Sequence, residues 1–421
     1  MIALFGLSAL ALAILSVPIF LVFGVSSTAV ALWGLKLPSA MLMQISFDAM
    51  TKQVLVAIPL FLFAGNVMLK GGTARRLVDL SLAAVGHLPG GLALAMILAM
   101  AFFAAFCGSI LAAIGAIGTV LLPTMIERGY PKAFVIVLAA CAAIIEALIP
   151  PSNTAILYSA ITHVPVTKTF AAGVLPGLVL MTLLMLYTLL VCRNMPRPPR
   201  ASWPVLRDAV LGALPALLTP VIIIGGIYGG LFTAAESAAV AGVWGIVLGR
   251  YIYRELTLKG LWEALKATAE STTVIFAIIA MAIFLSIVLT YTKTPQAIVE
   301  YMVQLGITQV TFFLAAGLTL LFLGAFIEVV PVFYLTLPIF IPVIHSLKID
   351  TLQFYVFFTG LVGIGLLTPP VCVGVYMAAS VVREPPERVF KAVPGFIVIG
   401  IIYAAIMASF PWLATWLPSK L

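Results

Sequence analysis

The chain has 421 residues, of which 63% are hydrophobic and only 9% charged, with a mean hydropathy of +1.24. That composition excludes a water-soluble enzyme or binding module and implies an all-α polytopic membrane protein, since apolar runs of bilayer-spanning length follow one another from residue 2 to residue 418. The net charge of +8 then reports topology and no nucleic-acid partner.

The first run, 2–35, is long for one helix and short for two, and Pro18 interrupts it. It has no basic residue before it and no A-x-A site after it, so it reads as a membrane segment and not as a cleaved signal peptide. Further spans are expected near 54–69, 131–162, 170–192, 209–228, 233–252, 270–291, 351–382 and 393–418. Regions 90–126 and 309–346 are each too long for one span and hold a small or acidic cluster at the centre, Cys107-Gly108-Ser109 and Gly324 to Glu328. Each reads as a re-entrant hairpin, whose turn must be surrounded by protein or water. Spans 131–162 and 351–382 are broken at Pro150-Pro151 and Pro369-Pro370, because paired prolines remove two amide donors and bar the preceding residue from helical geometry. The Pro/Arg-rich stretch from Arg193 to Arg200 marks a basic linker, 193–208. Cys107, Cys141, Cys192 and Cys372 have no ligand spacing and read as free thiols, with no transition-metal site.

The proline punctuation recurs at one interval: 150 − 123 = 27, 369 − 342 = 27, and 342 − 123 = 219. The chain therefore divides into a first repeat, 1–192, and a second, 209–421, each with about five transmembrane helices, one hairpin and one broken helix. Because the second repeat has two spans before the one aligned with 54–69, 2–35 is expected to hold two short helices. If the linker is cytoplasmic, only Lys36, Lys52, Lys168, Lys293, Lys348 and Lys420 of the 22 basic residues lie outside, as the positive-inside rule requires. The repeats then face opposite ways. Broken helices at matching places in inverted-topology repeats are the sequence mark of a secondary transporter's binding site.

Six motifs stand in register: Ile58-Pro59-Leu60-Phe61, Gly86-His87-Leu88-Pro89-Gly90-Gly91-Leu92-Ala93, Gly129-Tyr130, Ile149-Pro150-Pro151-Ser152, Gly230-Leu231-Phe232-Thr233 and Gly365-Leu366-Leu367-Thr368-Pro369-Pro370. With them the chain resembles, over nearly its full length, the large membrane subunit of tripartite ATP-independent periplasmic (TRAP) transporters. The resemblance implies a sodium-coupled importer of a small organic acid in the bacterial inner membrane, with an elevator-type transporter fold. It also implies two separate partners, a small four-helix membrane subunit and a periplasmic substrate-binding protein.

Hairpin tips and broken helices expose uncapped amides and carbonyls, so helix N-termini suit a carboxylate while loose carbonyls and hydroxyls suit a small cation. The first tip should therefore face the loop Glu146 to Asn153, and the second, Gly324 to Glu328, should face Gly365 to Cys372. By the resemblance these are two sodium sites, one drawing on Cys107, Ser109, Glu146, Ile149 and Pro151, the other on Gly324, Glu328, Gly365, Thr368 and Val371. Ser152, Asn153 and Ser109 would lie near the substrate carboxylate. The competing reading for Ser152, Asn153 and Thr368 is local capping of backbone freed by the prolines.

Glu146, Glu236 and Glu328 sit in apolar runs, where an acid costs roughly 2.5–3.5 kcal/mol and so needs a reason. The family commonly has an acid at the positions of Glu328 and Glu236, but usually Gly at 146 and Ser at 107. The Glu146 carboxylate is therefore expected to replace missing oxygen ligands or to take up a proton as coupling ion, unless it turns away to a backbone donor or water. His87, His163 and His345 fall at segment ends, so no cationic side chain is expected in the core. Three other readings compete: a self-contained carboxylate symporter, a channel, and a membrane-embedded enzyme or structural subunit. The last lacks any metal-ligand cluster, Ser/His pair or nucleotide motif.

Overall fold

A computed structural model describes residues 2–15, 17–195 and 197–421, which form helices throughout. Helices α1 (Ile2–Ile14) and α2 (Ile19–Ala29) flank Pro18, and α2 runs into a wider π turn, Val30–Gly34. The expected pair of short N-terminal helices is therefore present. Helix α3 (Ser39–Met50) leads through a tight turn, Gln53–Val56, into α4 (Ala57–Lys70), followed by α5 (Thr73–Val85). Helices α6 (Gly91–Cys107) and α7 (Ile110–Glu127) form the first hairpin, and α8 (Lys132–Ala142), α9 (Ile145–Leu148) and α10 (Asn153–Thr162) the first broken helix. The last of these bends by 46° at its break. Helix α11 (Val166–Val191) completes the first half.

The second half repeats this order. It comprises α12 (Trp203–Tyr228), α13 (Ala234–Val247) with a π turn at Leu248–Ile252, α14 (Leu258–Tyr291) and α15 (Thr294–Gln304). Its hairpin is α16 (Gln309–Gly324) and α17 (Val329–Ser346), its broken helix α18 (Thr351–Gly365) and α19 (Val373–Val381), and α20 (Val393–Ser409) is followed by a short α21 (Trp412–Thr415). The offset read from the prolines holds to the residue for the hairpin return arms, since 110 + 219 = 329 and 127 + 219 = 346. Both Pro-Pro breaks, whose Pro–Pro peptides are cis, recur in register, and the two π turns recur one residue short of it, since 248 − 30 = 218.

One element departs from expectation. The gap between the spans read at 233–252 and 270–291 implies a loop, but α14 starts at Leu258 and runs 34 residues. At 1.5 Å per residue it is about 51 Å long, far more than a hydrocarbon core of about 30 Å. Its first turns, with Lys259, Glu263, Lys266 and Glu270, project past the apolar layer, which is why a hydropathy reading takes them for loop. The first half spends the same register on α3, the tight turn and α4. Helices α3, α5 and α15 were not foreseen either, being short and, for α5, half polar.

Helices α8 and α18 are apolar on every side, and a helix of that kind is stable only when surrounded. Val135 to Cys141 and Phe354 to Ile364 are accordingly buried, so the broken helices sit at the centre. They touch where Gly363 packs on Ile144: a methyl on Gly363 would lie 2.4 Å from Ile144 Cγ2. Among the described residues, seven helices are long and apolar enough to cross a membrane, eight with the bent pair counted as one span.

The ion pairs between distant segments join Lys70 to Glu263 (2.6 Å), Arg76 to Glu255 (2.8 Å) and Lys132 to Glu384 (3.3 Å). Each links two segments that the charge count puts on one side. Arg76 does more than pair, since its Nη1 also donates to the Gly72 carbonyl at 2.9 Å and its guanidinium stacks 3.7 Å over the Tyr253 ring. Arg76→Ala should cost roughly 1–2 kcal/mol in thermal melts of the detergent-purified protein, and Arg76→Lys should recover less than half, because an ammonium cannot fork and stack at once. Lys132→Ala, which removes an exposed pair, should cost under about 1 kcal/mol.

Candidate cation and substrate site

Each proline frees the carbonyl four residues earlier, so Pro150 and Pro151 leave the Glu146 and Ala147 carbonyls without helical donors. The Ala147 carbonyl is well supplied. It accepts from Ser152 Oγ (2.7 Å), Thr154 Oγ1 (2.6 Å) and Tyr355 Oη (3.2 Å). Ser152 and Thr154 are also 2.7 Å apart. Ser152 is thus engaged in capping the break, which is the local role considered for it above. Thr154 and Tyr355 were missed. The signal for Tyr355 was available only as a phenol in the otherwise apolar Phe354-Tyr355-Val356-Phe357-Phe358 run, which does not say what it would meet.

The first tip meets the first break as expected. Gly108 turns the hairpin at φ +68°, a conformation that disfavours side chains, and Ser109 caps α7 by accepting from the Ala112 amide at 3.4 Å. Asn153 Nδ2 donates to the Gly108 carbonyl at 2.8 Å. That carbonyl can only accept, which fixes the orientation of the amide and leaves Asn153 Oδ1 pointing away without a donor.

Glu146 is 1% exposed, and neither carboxylate oxygen accepts a hydrogen bond of proper geometry. The amides of Gly108 and Ser109 and the Cys107 thiol face it across the tip without closing such a bond. Cys107 itself is buried and packed on Gly65, where an added Cβ would lie 2.9 Å from its Sγ. The four cysteines are buried free thiols. Three side-chain oxygens on the first break, two from Glu146 and one from Asn153, therefore close no hydrogen bond of proper geometry, although the Gly108 and Ser109 amides and the Cys107 thiol face Glu146. An unpaired buried acceptor costs about 1–3 kcal/mol, more when charged, and a small cation would relieve all three.

The second junction is built differently. The Val371 amide donates to the Ala325 carbonyl at 3.1 Å, tying break to tip, and Gly324 and Gly365 meet backbone to backbone, with an added Cβ on Gly324 only 2.9 Å from Gly365 Cα. The Gly365 carbonyl, freed by Pro369, accepts from the Thr368 amide at 2.8 Å. Pro369 to Val371 are exposed, whereas Pro150 to Asn153 are buried. Since 109 + 219 = 328 and 146 + 219 = 365, Glu328 stands where the first half has Ser109, and Gly365 where it has Glu146. Each junction has one carboxylate, carried by the break in the first half and by the tip in the second. Glu328 is exposed at the N-cap of α17 with no capping bond of its own. Ile149 is half-buried at the turn into the first break, and Thr368 at the turn into the second.

Glu236 is not an intramembrane acid in need of a functional reason. It closes a capping box with Thr233, taking the Thr233 amide at 2.8 Å, and is exposed. A reciprocal cap of this kind contributes about 1 kcal/mol, enough to explain an acid there.

Residues 6–413 match the family model of the tripartite ATP-independent periplasmic transporter, DctM component. The chain belongs to the DctM family. The DctM chain is 36% identical to the C4-dicarboxylate TRAP transporter large permease protein of Pseudomonas aeruginosa over 89% of its own length and 88% of the relative's. It is 33% identical to the ectoine TRAP transporter large permease protein of Halomonas elongata, covering 86% of each. Among solved structures, the Alcanivorax borkumensis YdaH transporter, described as having an unusual topology, shares the fold with a TM-score of 0.60 over 86% of this chain and 85% of that one, at 16% identity. As a DctM component the chain is a multi-pass permease subunit of a TRAP transporter and not an enzyme.

Proposed function

We propose that this permease subunit imports a small organic acid across the bacterial inner membrane by an elevator-type movement, coupled to a sodium gradient. A periplasmic binding protein delivers the substrate, and a small four-helix membrane subunit completes the complex. The observation that carries the reading is that three buried oxygens of Glu146 and Asn153, where the first tip meets the first break, close no hydrogen bond of proper geometry. Acceptors without donors bind a cation, and the bound charge then offers an anionic solute a partner in a core where the sequence places no Lys, Arg or His.

Two further features support the frame. The register of 219 between the halves, with the basic residues gathered on one side, favours inverted repeats joined by a cytoplasmic linker at 193–208. The buried first break and exposed second break suit a carrier in which the two sites open to different environments. The names of the relatives, which cover a dicarboxylate and ectoine, favour a small solute without selecting one.

The test is purification of the tagged chain in mild detergent from its native membrane, then uptake by the recovered complex in proteoliposomes. A small membrane subunit should co-purify in near-equal amount, and uptake should follow an inward sodium gradient and vanish when the gradient is dissipated. Uptake by this chain alone would overturn the tripartite assignment in favour of a self-contained symporter. Uptake driven only by a pH gradient would overturn sodium coupling.

A further inference from the structure

Away from the two junctions, a cavity of about 410 Å³ opens between α5, the start of α6, the end of α7 and linker residues 198–201. Arg75 on α5, Arg128 at the end of α7 and His87 in the α5–α6 turn line it, with Asp79 one turn beyond Arg75. Val78, Leu82, Leu92, Val120 and Leu121 supply apolar wall, and Pro198 and Pro199 cover it from the linker. Among the described residues neither guanidinium makes an ion pair or a hydrogen bond. Asp79 makes none either, so the cavity retains an excess of positive charge.

We propose that this cavity binds a phosphate-ester anion, the headgroup of an anionic phospholipid. Two free guanidinium forks on separate helices match the geometry of phosphate oxygens. A single anionic phosphodiester also balances two arginines set against one aspartate. Free inorganic phosphate would satisfy the forks but would leave the apolar wall bare, whereas a glycerol backbone and the first carbons of its chains cover it. The volume suits a headgroup and glycerol and is too small for whole acyl chains.

The surroundings favour a membrane source. Helix α5 is amphipathic, with Leu77, Val78 and Leu80 buried and Arg75 and Asp79 exposed, as for a helix lying at an interface. Arg193, Arg197 and Arg200 of the linker are exposed and in no ion pair, on the side that carries the excess of basic residues. Clefts of this composition on the cytoplasmic side meet the anionic leaflet. The site does not depend on the transport reading.

The test is native mass spectrometry and thermal melting of the delipidated, detergent-purified chain titrated separately with phosphatidylglycerol, phosphatidylcholine and inorganic phosphate. Phosphatidylglycerol should bind in preference to phosphatidylcholine and raise the melting temperature. In Arg75→Ala/Arg128→Ala that preference should fall about 25-fold, roughly five-fold for each guanidinium removed near an anionic surface. Arg75→Lys/Arg128→Lys keeps the charge should the alanine variant fail to fold, and it should retain part of the preference. Equal binding of the two lipids, or an unchanged preference in both double variants, overturns the proposal. Full stabilisation by inorganic phosphate with no added effect of phosphatidylglycerol overturns the lipid assignment.

Discussion

Gly173→Ala should strip the protein of much of its stability. Gly173 lies on α11 facing the end of α9, and a Cβ there would sit 2.0 Å from the Leu148 carbonyl oxygen and 3.0 Å from its carbonyl carbon. Both partners are backbone, so no rotamer relieves the overlap. Either α11 moves outward or the last peptides before Pro150 shift, and those peptides position Glu146 and Ala147. Overpacking of this kind costs typically about 1–3 kcal/mol even where side chains can yield, and here they cannot. Gly177, one turn on, would meet the flexible Ile149 side chain at 2.6 Å, so Gly177→Ala should cost less. The two glycines form a small-xxx-small face that lets a helix approach the break closely. Gly212→Ala on α12, where nothing lies within 4 Å, is the control and should be neutral or stabilising by up to about 1 kcal/mol. Thermal melts and size-exclusion profiles of the three variants decide the matter. A Gly173→Ala protein that behaves like Gly212→Ala would mean that α11 does not pack on the break as described.

Glu146→Gln should separate stability from transport. The substitution is isosteric and removes a charge whose oxygens have no donor, so in sodium-free detergent the variant should melt at or above the wild-type temperature. A ligand that binds only the folded form stabilises it by RT ln(1 + [L]/Kd), so wild type should gain melting temperature as sodium is added. The variant should lose the part of that gain due to the first junction. If Glu146 is the charged ligand of the proposed coupling cation, sodium-driven uptake should fall by roughly tenfold or more. Uptake and sodium-dependent melting that both match wild type would remove Glu146 from the coupling machinery. A variant that melts lower in the absence of sodium would show instead that the carboxylate has a structural partner.

The positions of the hairpin tips and breaks were legible because their causes are local. Pro150-Pro151 and Pro369-Pro370 end a helix whatever surrounds them, Gly108 marks a turn needing positive φ, and Pro18 divides the first apolar run. The start of α14 was misplaced for an equally local reason. Hydropathy reports which residues avoid water, and the charged turns from Leu258 to Glu270 are helical while facing it. Glu236, as open to a structural as to a functional reading in its apolar run, closes a capping box whose Thr-x-x-Glu spacing is there to be read.

That this chain lives in a bilayer, that its proline punctuation recurs at a spacing of 219, and where its helices break can all be read along the chain. Composition, period and proline chemistry act over a few residues and need no partner to be read. Which of the freed polar groups are satisfied depends instead on contacts between segments far apart in the chain. The Ala147 carbonyl is closed off by Tyr355, a residue 208 positions away, while the Glu146 carboxylate and Asn153 Oδ1 remain open beside Gly108. The first break is approached this closely only because Gly173 and Gly363 carry no side chain where they meet Leu148 and Ile144, a condition set by packing between distant segments and not by the local chain.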